Sequence, residues 1–218
     1  MKSMRETMIR VCLLLLGLVI AHLGVTLFLL SDLGSDPFNV LVQGLFRTLQ
    51  RTTGLPFLTH GRVHIFVSVL IALALLVIDR SYVRIGTLLC MLLGGPIIDG
   101  FSLVLRPLFA ALPGMAPRLV ILALGCVILA FGMTIVIRSE AGTGPNDLVA
   151  VVLSDKLGTR FSLTRVVVDV LFVLVGWLLG GIFGVGTLIC AFLVGPAAGF
   201  FMPRSEKIVQ AALRRWMK

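Results

Sequence analysis

The apolar residues of this chain come in long blocks and do not alternate with polar ones. Val11 to Leu30 is one such block, with a single histidine at His22, and Leu119 to Ile137 is another, without a charge. Val63 to Ile78 is shorter and closed by Asp79 and Arg80, Ile85 to Leu105 holds one acid, Asp99, and Val166 to Met202 holds only Asp169. Apolar runs of about 20 residues span the hydrocarbon core of a bilayer as helices, and the last run is too long for one. It is predicted to break between Gly180 and Gly184, where glycine permits a tight turn. The pattern predicts an all-α polytopic membrane protein with six transmembrane helices, three in each half.

Two further segments, Pro37 to Gln50 and Pro145 to Leu157, are apolar but short of a full crossing, and each opens on proline, a favoured first helical residue. As re-entrant or interfacial helices they leave three spans per half, and the halves are then inverted. As short tilted spans they give four per half, and the halves are parallel. Length favours the six-span count and inverted halves.

The halves are copies of one design. Ser31-Asp32-Leu33-Gly34-Ser35-Asp36-Pro37-Phe38-Asn39-Val40 returns 108 positions later as Ser139-Glu140-Ala141-Gly142-Thr143-Gly144-Pro145-Asn146-Asp147-Leu148, and at the same offset Gly17, Gly24 and Thr26 fall on Gly125, Gly132 and Thr134. At an offset of 100, the block Gly86 to Pro96 aligns with Gly186 to Pro196, and seven of its eleven columns are identical. Unrelated apolar segments would share roughly one. The organisation expected is a first repeat over residues 1–106, a proline-marked joint over 107–117, a second repeat over 118–204 and a basic amphipathic tail over 205–218.

Composition agrees: 58% of residues are apolar and 13% charged, with a mean hydropathy of +1.10, too little polar surface to coat a soluble globule. With six spans and the N-terminus inside, 14 of the 19 basic residues fall on inner segments, so both termini are expected in the cytoplasm. Eight spans place the termini the same way. The net charge of +9 follows these loops and the tail without forming a basic stripe, which argues against nucleic-acid binding. The tail mixes Ile208, Val209 and Trp216 with Arg214 and Arg215, the composition of a helix lying on an anionic inner leaflet. Lys2, Arg5 and Arg10 before the first block imitate a signal peptide, but that block belongs to the repeat and is expected to be retained. Cys12, Cys90, Cys126 and Cys190 have no Cys-x-x-Cys pairing and read as buried packing residues.

Chemistry must come from few groups. In the doubled motif, Gly34 and Gly142 permit a positive φ, while Pro37 and Pro145 open helices whose free N–H groups face the preceding loop. Such helix starts at membrane depth contact substrate or a coupling ion. The candidate substrate- or ion-binding set is Gly34, Ser35, Asp36, Pro37, Asn39, Gly142, Thr143, Gly144, Pro145, Asn146 and Asp147, together with Asp99 and Asp169, the acids within spans. An acid at the centre of a span costs about 2.5–3.5 kcal/mol on insertion scales and normally has a task or a partner. Asp169 follows Arg165 by four residues, so a purely structural contact is its competing reading, and for Asp99, near the end of its span, the competing reading is a side chain that simply reaches the interface. Arg62 and Arg165 align at an offset of 103 and could contact an anion, although snorkelling to the interface is the favoured role, and His22 could couple to a proton but reads better as a hydrogen-bonded packing histidine. His60 and His64 lack a third ligand, so no metal site or cofactor is expected, and no catalytic set is evident.

The Gly142 to Asp147 motif, its looser counterpart Gly34 to Asn39, and the Gly86-Thr87 block running to Gly94-Gly95-Pro96-Ile97-Ile98-Asp99 together resemble the YczE-type bacterial integral membrane proteins, related to the YitT group. Phe38 fits the aromatic residue that often follows the proline in that family, whereas Asn146 departs from it. The resemblance implies a small multi-pass protein of the bacterial inner membrane. The function expected is a permease or secondary transporter, not an enzyme, with a small polar metabolite or ion bound between the repeats. A substrate-binding subunit or accessory protein that depends on partners is the alternative. The lipid bilayer is a required partner, and a homo-oligomer is compatible with the sequence.

Overall fold

The structure is a computed structural model and describes residues 4–34, 36–54, 58, 60–110 and 114–217. Ser35 therefore lies outside the described residues, as does the side chain of His60. The described residues form eight helices: α1 (Met4–Leu30), α2 (Pro37–Thr53), α3 (His60–Ile78), α4 (Ile85–Ala110), α5 (Met115–Ser139), α6 (Pro145–Leu157), α7 (Phe161–Leu178) and α8 (Val185–Met217). Five of them, α1, α4, α5, α7 and α8, are long and apolar enough to cross a membrane, and α3 is a shorter apolar helix. Leu92, Leu103, Leu171 and Leu178 are among the large apolar side chains left on the outside, as a lipid-facing surface requires.

The centre is the α1–α5 pair. These helices run antiparallel, because Gly17 meets Gly132 while Gly24 meets Gly125, and Arg10 near the start of α1 donates to the Ser139 carbonyl at the end of α5. A Cβ on Gly24 would sit 2.5 Å from the Gly125 carbonyl oxygen, and one on Gly132 would sit 2.6 Å from that of Gly17. Small residues at these crossings let the backbones touch, which is how helices associate where lipid supplies no hydrophobic drive. α4 packs on α1 and α8 on α5, so Cys90 joins a core with Leu14, Leu18 and Val136, and Cys190 joins one with Phe28, Leu122 and Met133. Cys12, by contrast, is exposed.

Each short helix begins and ends against one turn. The loop before α2 is held where Gly186 donates to the Leu33 carbonyl at 2.9 Å. Farther along α2, Arg47 and Thr48 donate to the Gly180 and Leu179 carbonyls in the same α7–α8 turn. The loop before α6 is held where Gly86 donates to the Ala141 carbonyl at 2.9 Å and Arg84 donates to that of Glu140. The far end of α6 meets the same α3–α4 turn through Tyr82 with Asp155 and Lys156 with Asp79. Hydrogen bonds from Ser81 and then Lys156 hold the Asp79 carboxyl down at about 2, so this pair persists at physiological pH.

Both ends of the expected joint are helical: α4 continues through Pro107 to Ala110, and α5 starts at Met115. α8 likewise passes Pro196 and Pro203 without ending, so the segment from residue 205 is no separate surface helix. A proline removes one helical hydrogen bond, yet packing continues beyond it. Ser205 is buried 2.7 Å from the Thr134 hydroxyl, Val209 is buried, and Glu206 pairs with Arg138 at 3.4 Å.

Candidate functional site

Both helix starts open on one cavity of about 290 Å³ beside the middle of α1 and α5. Gly34 and Gly142 make this approach feasible. Gly34 has φ 143° and packs against Thr187 and Gly184, while Gly142 has φ 135° and packs against the Gly86–Thr87 backbone. Neither backbone conformation suits an L side chain, and neither site has room for one. Each loop thereby turns inward and delivers the next residues to the cavity wall.

From the first loop come Asp36, Phe38 and Asn39. Asp36 caps α2, with its carboxylate accepting from the backbone N–H of Asn39 at 3.2 Å and from the Asn39 amide, and Pro37 occupies the first turn. From the second come Gly144, Pro145, Asn146 and Asp147. Gly144 caps α6 without a side chain, so the acidic group of that first turn is Asp147, whose Oδ1 accepts from the Asn146 amide at 3.1 Å. The two carboxylates are thus placed differently, one at the cap and one inside the first turn, although both complement a helix dipole.

Arg165 ties α6 to α7. It is buried, its Nη1 donates to Asp147 Oδ1 at 2.5 Å, and its Nε donates to Asp169 Oδ2 at 2.9 Å. The expectation that it snorkels fails, because two acids hold the guanidinium inside the protein. The i, i+4 contact with Asp169 is formed as the spacing allows. Asp169 itself is fully buried behind Arg165, and its Oδ1 has no hydrogen-bond partner among the described residues.

Other walls were not singled out by the motif. His22 lines the cavity and donates from Nδ1 to the Leu18 carbonyl at 2.8 Å, which leaves Nε2 toward Gly94 on α4. His64 lies edge-on to Phe38 with ring centroids 5.2 Å apart. A residue four positions from another apolar-face histidine carries no sign of this pairing, and only the position of Phe38 after Pro37 hinted at an aromatic wall.

Gly34, Gly142 and Thr143 support the site from outside it. Thr143 is buried, its hydroxyl has no hydrogen-bond partner among the described residues, and it borders a second cavity of about 410 Å³, which also meets Tyr82, Arg84, Arg138 and Glu140. Gly142 and Thr143 face this second cavity and Gly144 to Asp147 face the first, so one short stretch of chain separates the two. Asp99 does not join the group: it is exposed on α4, although the adjacent Ile98 reaches the central cavity.

The chain is similar over most of its length to three bacterial proteins. It is 27% identical to the Uncharacterized membrane protein YczE of Bacillus subtilis (strain 168), covering 97% of this chain and 94% of that protein. It is also 25% identical to the Uncharacterized protein YyaS of the same organism, over 92% of this chain and 96% of that one, and 26% identical to an Uncharacterized protein of Haemophilus influenzae, over 88% and 83%. No solved structure matches it. Residues 8–203 match the family of unknown function DUF6198, and with the YczE similarity and the apolar helices this makes the chain a YczE-type integral membrane protein belonging to that family.

Proposed function

We propose that this protein is a small permease or secondary transporter, built as two inverted repeats of three crossings each, that binds a small polar metabolite between them. The observation that carries the reading is the convergence of Asp36 and Asn39 with Asn146 and Asp147 on one mid-span cavity from two different loops. Antiparallel α1 and α5 favour inversion, since they are corresponding elements of the two sequence repeats. The return of α2 and α6 to the turns they start from favours re-entry over crossing. Helix starts and irregular backbone at membrane depth are tolerated where they line such a cavity. In this reading the protein sits in the bacterial inner membrane with both termini cytoplasmic, performs no covalent chemistry, and uses the Gly86 and Gly186 contacts to hold the loops while the repeats rock.

Liposomes containing this protein alone should accumulate substrate, and Asp147→Asn should reduce the initial rate at least tenfold. Binding without flux until other proteins are added would instead favour the accessory-subunit reading. Sidedness gives a separate check. Single cysteines replacing Thr53 and Lys156 in a cysteine-free background should be labelled by a membrane-impermeant maleimide from opposite sides, outer and inner respectively. Labelling of both from one side would rule out inverted repeats. These helix ends are better reporters than Asn39 and Asn146, which face one shared cavity.

A further inference from the structure

We propose that the central cavity selects a small monovalent organic cation. This assignment rests on reading that cavity as the binding site and adds the class of ligand. Two helix N-termini and an arginine at one site would ordinarily point to an anion. Here that attraction is already used. Arg165 donates from Nη1 to Asp147 and from Nε to Asp169, so its charge is balanced by two carboxylates, the α2 start is capped by Asp36, and the α6 start carries Asp147 in its first turn.

The charge balance then decides the sign. Asp36 and Asp147 on the cavity wall and Asp169 behind Arg165 bring three carboxylates against the one guanidinium of Arg165, with His22 and His64 on the same wall counted as neutral. The helix starts add roughly half a positive charge each, which leaves about one negative charge. Within a membrane, that residue of charge is unfavourable unless something compensates it. One positive charge brings the site to neutrality, and a divalent cation overshoots.

The acceptors and the wall suit an organic ammonium. Asp147 accepts from Arg165 and Asn146 on Oδ1, and among the described residues no bond to its Oδ2 is formed, which leaves that oxygen for a ligand on the cavity wall. Phe38 and His64 form an edge-on aromatic pair among the residues lining the same cavity, an apolar wall that suits the alkyl part of an ammonium. The volume of about 290 Å³ admits a small amine rather than a lipid.

The test separates ligand class from transport. Purified full-length protein in detergent is titrated calorimetrically with ethanolamine, choline, sodium, acetate, glycerol and glycine betaine, and the same solutes are offered to proteoliposomes. Saturable binding of ethanolamine or choline, at least tenfold tighter than that of the other four, is expected. Asp147→Asn and Asp36→Asn should each weaken it about tenfold or more while eluting as folded protein in size-exclusion chromatography. Equal or tighter binding of sodium, acetate, glycerol or the zwitterion overturns the assignment, as does the absence of any binding by the two amines. Amine binding without flux keeps the cation assignment and removes the transporter reading. Flux of a neutral or anionic solute without amine binding does the reverse.

Discussion

Arg165→Met is expected to destabilise the protein by about 3–5 kcal/mol, the cost of stranding a buried charge when its partner is removed. Two acids depend on this guanidinium: Asp169, fully buried, and Asp147, largely buried at the cavity edge. Methionine retains the apolar bulk of the arginine stem, so lost volume does not account for the effect. Asp169 also cannot turn to water, and its Oδ1 already lacks a hydrogen bond among the described residues. The measurement is thermal unfolding in detergent, followed by loss of the monodisperse chromatographic peak. Adding Asp169→Asn to Arg165→Met should recover a large part of the loss, since the amide removes the fully buried charge and leaves only that of Asp147 at the cavity edge. Wild-type melting of the single variant would mean that the Asp147–Arg165–Asp169 bridge does not form.

That bridge also shows where sequence reasoning stops. An acid in an apolar run announces a partner, and the four-residue spacing supplied Arg165 for Asp169 correctly, because i, i+4 neighbours share a helix face. The link to Asp147 was out of reach, because it depends on how α6 packs against α7, and no local period encodes that. Arg165 was therefore assigned to the interface on its proximity to the span's end. For Asp99 the structure agrees with the competing reading, a side chain outside the cavity. Its place after Gly95 and Pro96 marks the end of a repeated block, and the block packs while the acid faces out of α4. The cavity residues that were legible, Asp36, Asn39, Asn146 and Asp147, were so because repeated glycine and proline constrain backbone geometry directly. His22 and His64 were not, since a single histidine in an apolar run looks the same whether it packs or lines a void.

The helix limits tell a similar story. The break after Leu178 was visible because the glycines at 180, 181 and 184 serve a turn, with Gly180 at φ 89°. Pro107 was read as opening the joint between the halves, but α4 continues through it, and α8 likewise passes Pro203, because a helix held by contacts on both sides of a proline continues through it. In α8 those contacts are Gly195 and Gly199 against Ser162 before Pro203, and Ser205 with Thr134 after it. Such contacts are tertiary, and a sequence does not display them.

Gly132→Leu should separate the two central helices and prevent stable assembly, the second largest effect expected of any single change. Even the Cβ of alanine would lie 2.6 Å from the Gly17 carbonyl oxygen and 2.7 Å from the Ala21 Cα, both backbone atoms that cannot swing aside. Overpacking costs about 1–3 kcal/mol where side chains can adjust, and a backbone collision belongs at or above the upper end. Gly132→Ala should therefore lower the unfolding temperature clearly, and Gly132→Leu should yield aggregated or degraded protein. Gly24→Ala should match Gly132→Ala, since it meets the Gly125 carbonyl oxygen at 2.5 Å in the reciprocal crossing. Gly100→Ala is the control: it is also helical but has nothing within 4 Å of a new Cβ, so it should be neutral or stabilise by up to about 1 kcal/mol through helix propensity. Equal behaviour of the Gly100 and Gly132 variants would show that α1 and α5 do not touch. The close α1–α5 crossing brings His22 and Met133 to the walls of one cavity, so loosening it should also impair ligand binding before the protein unfolds.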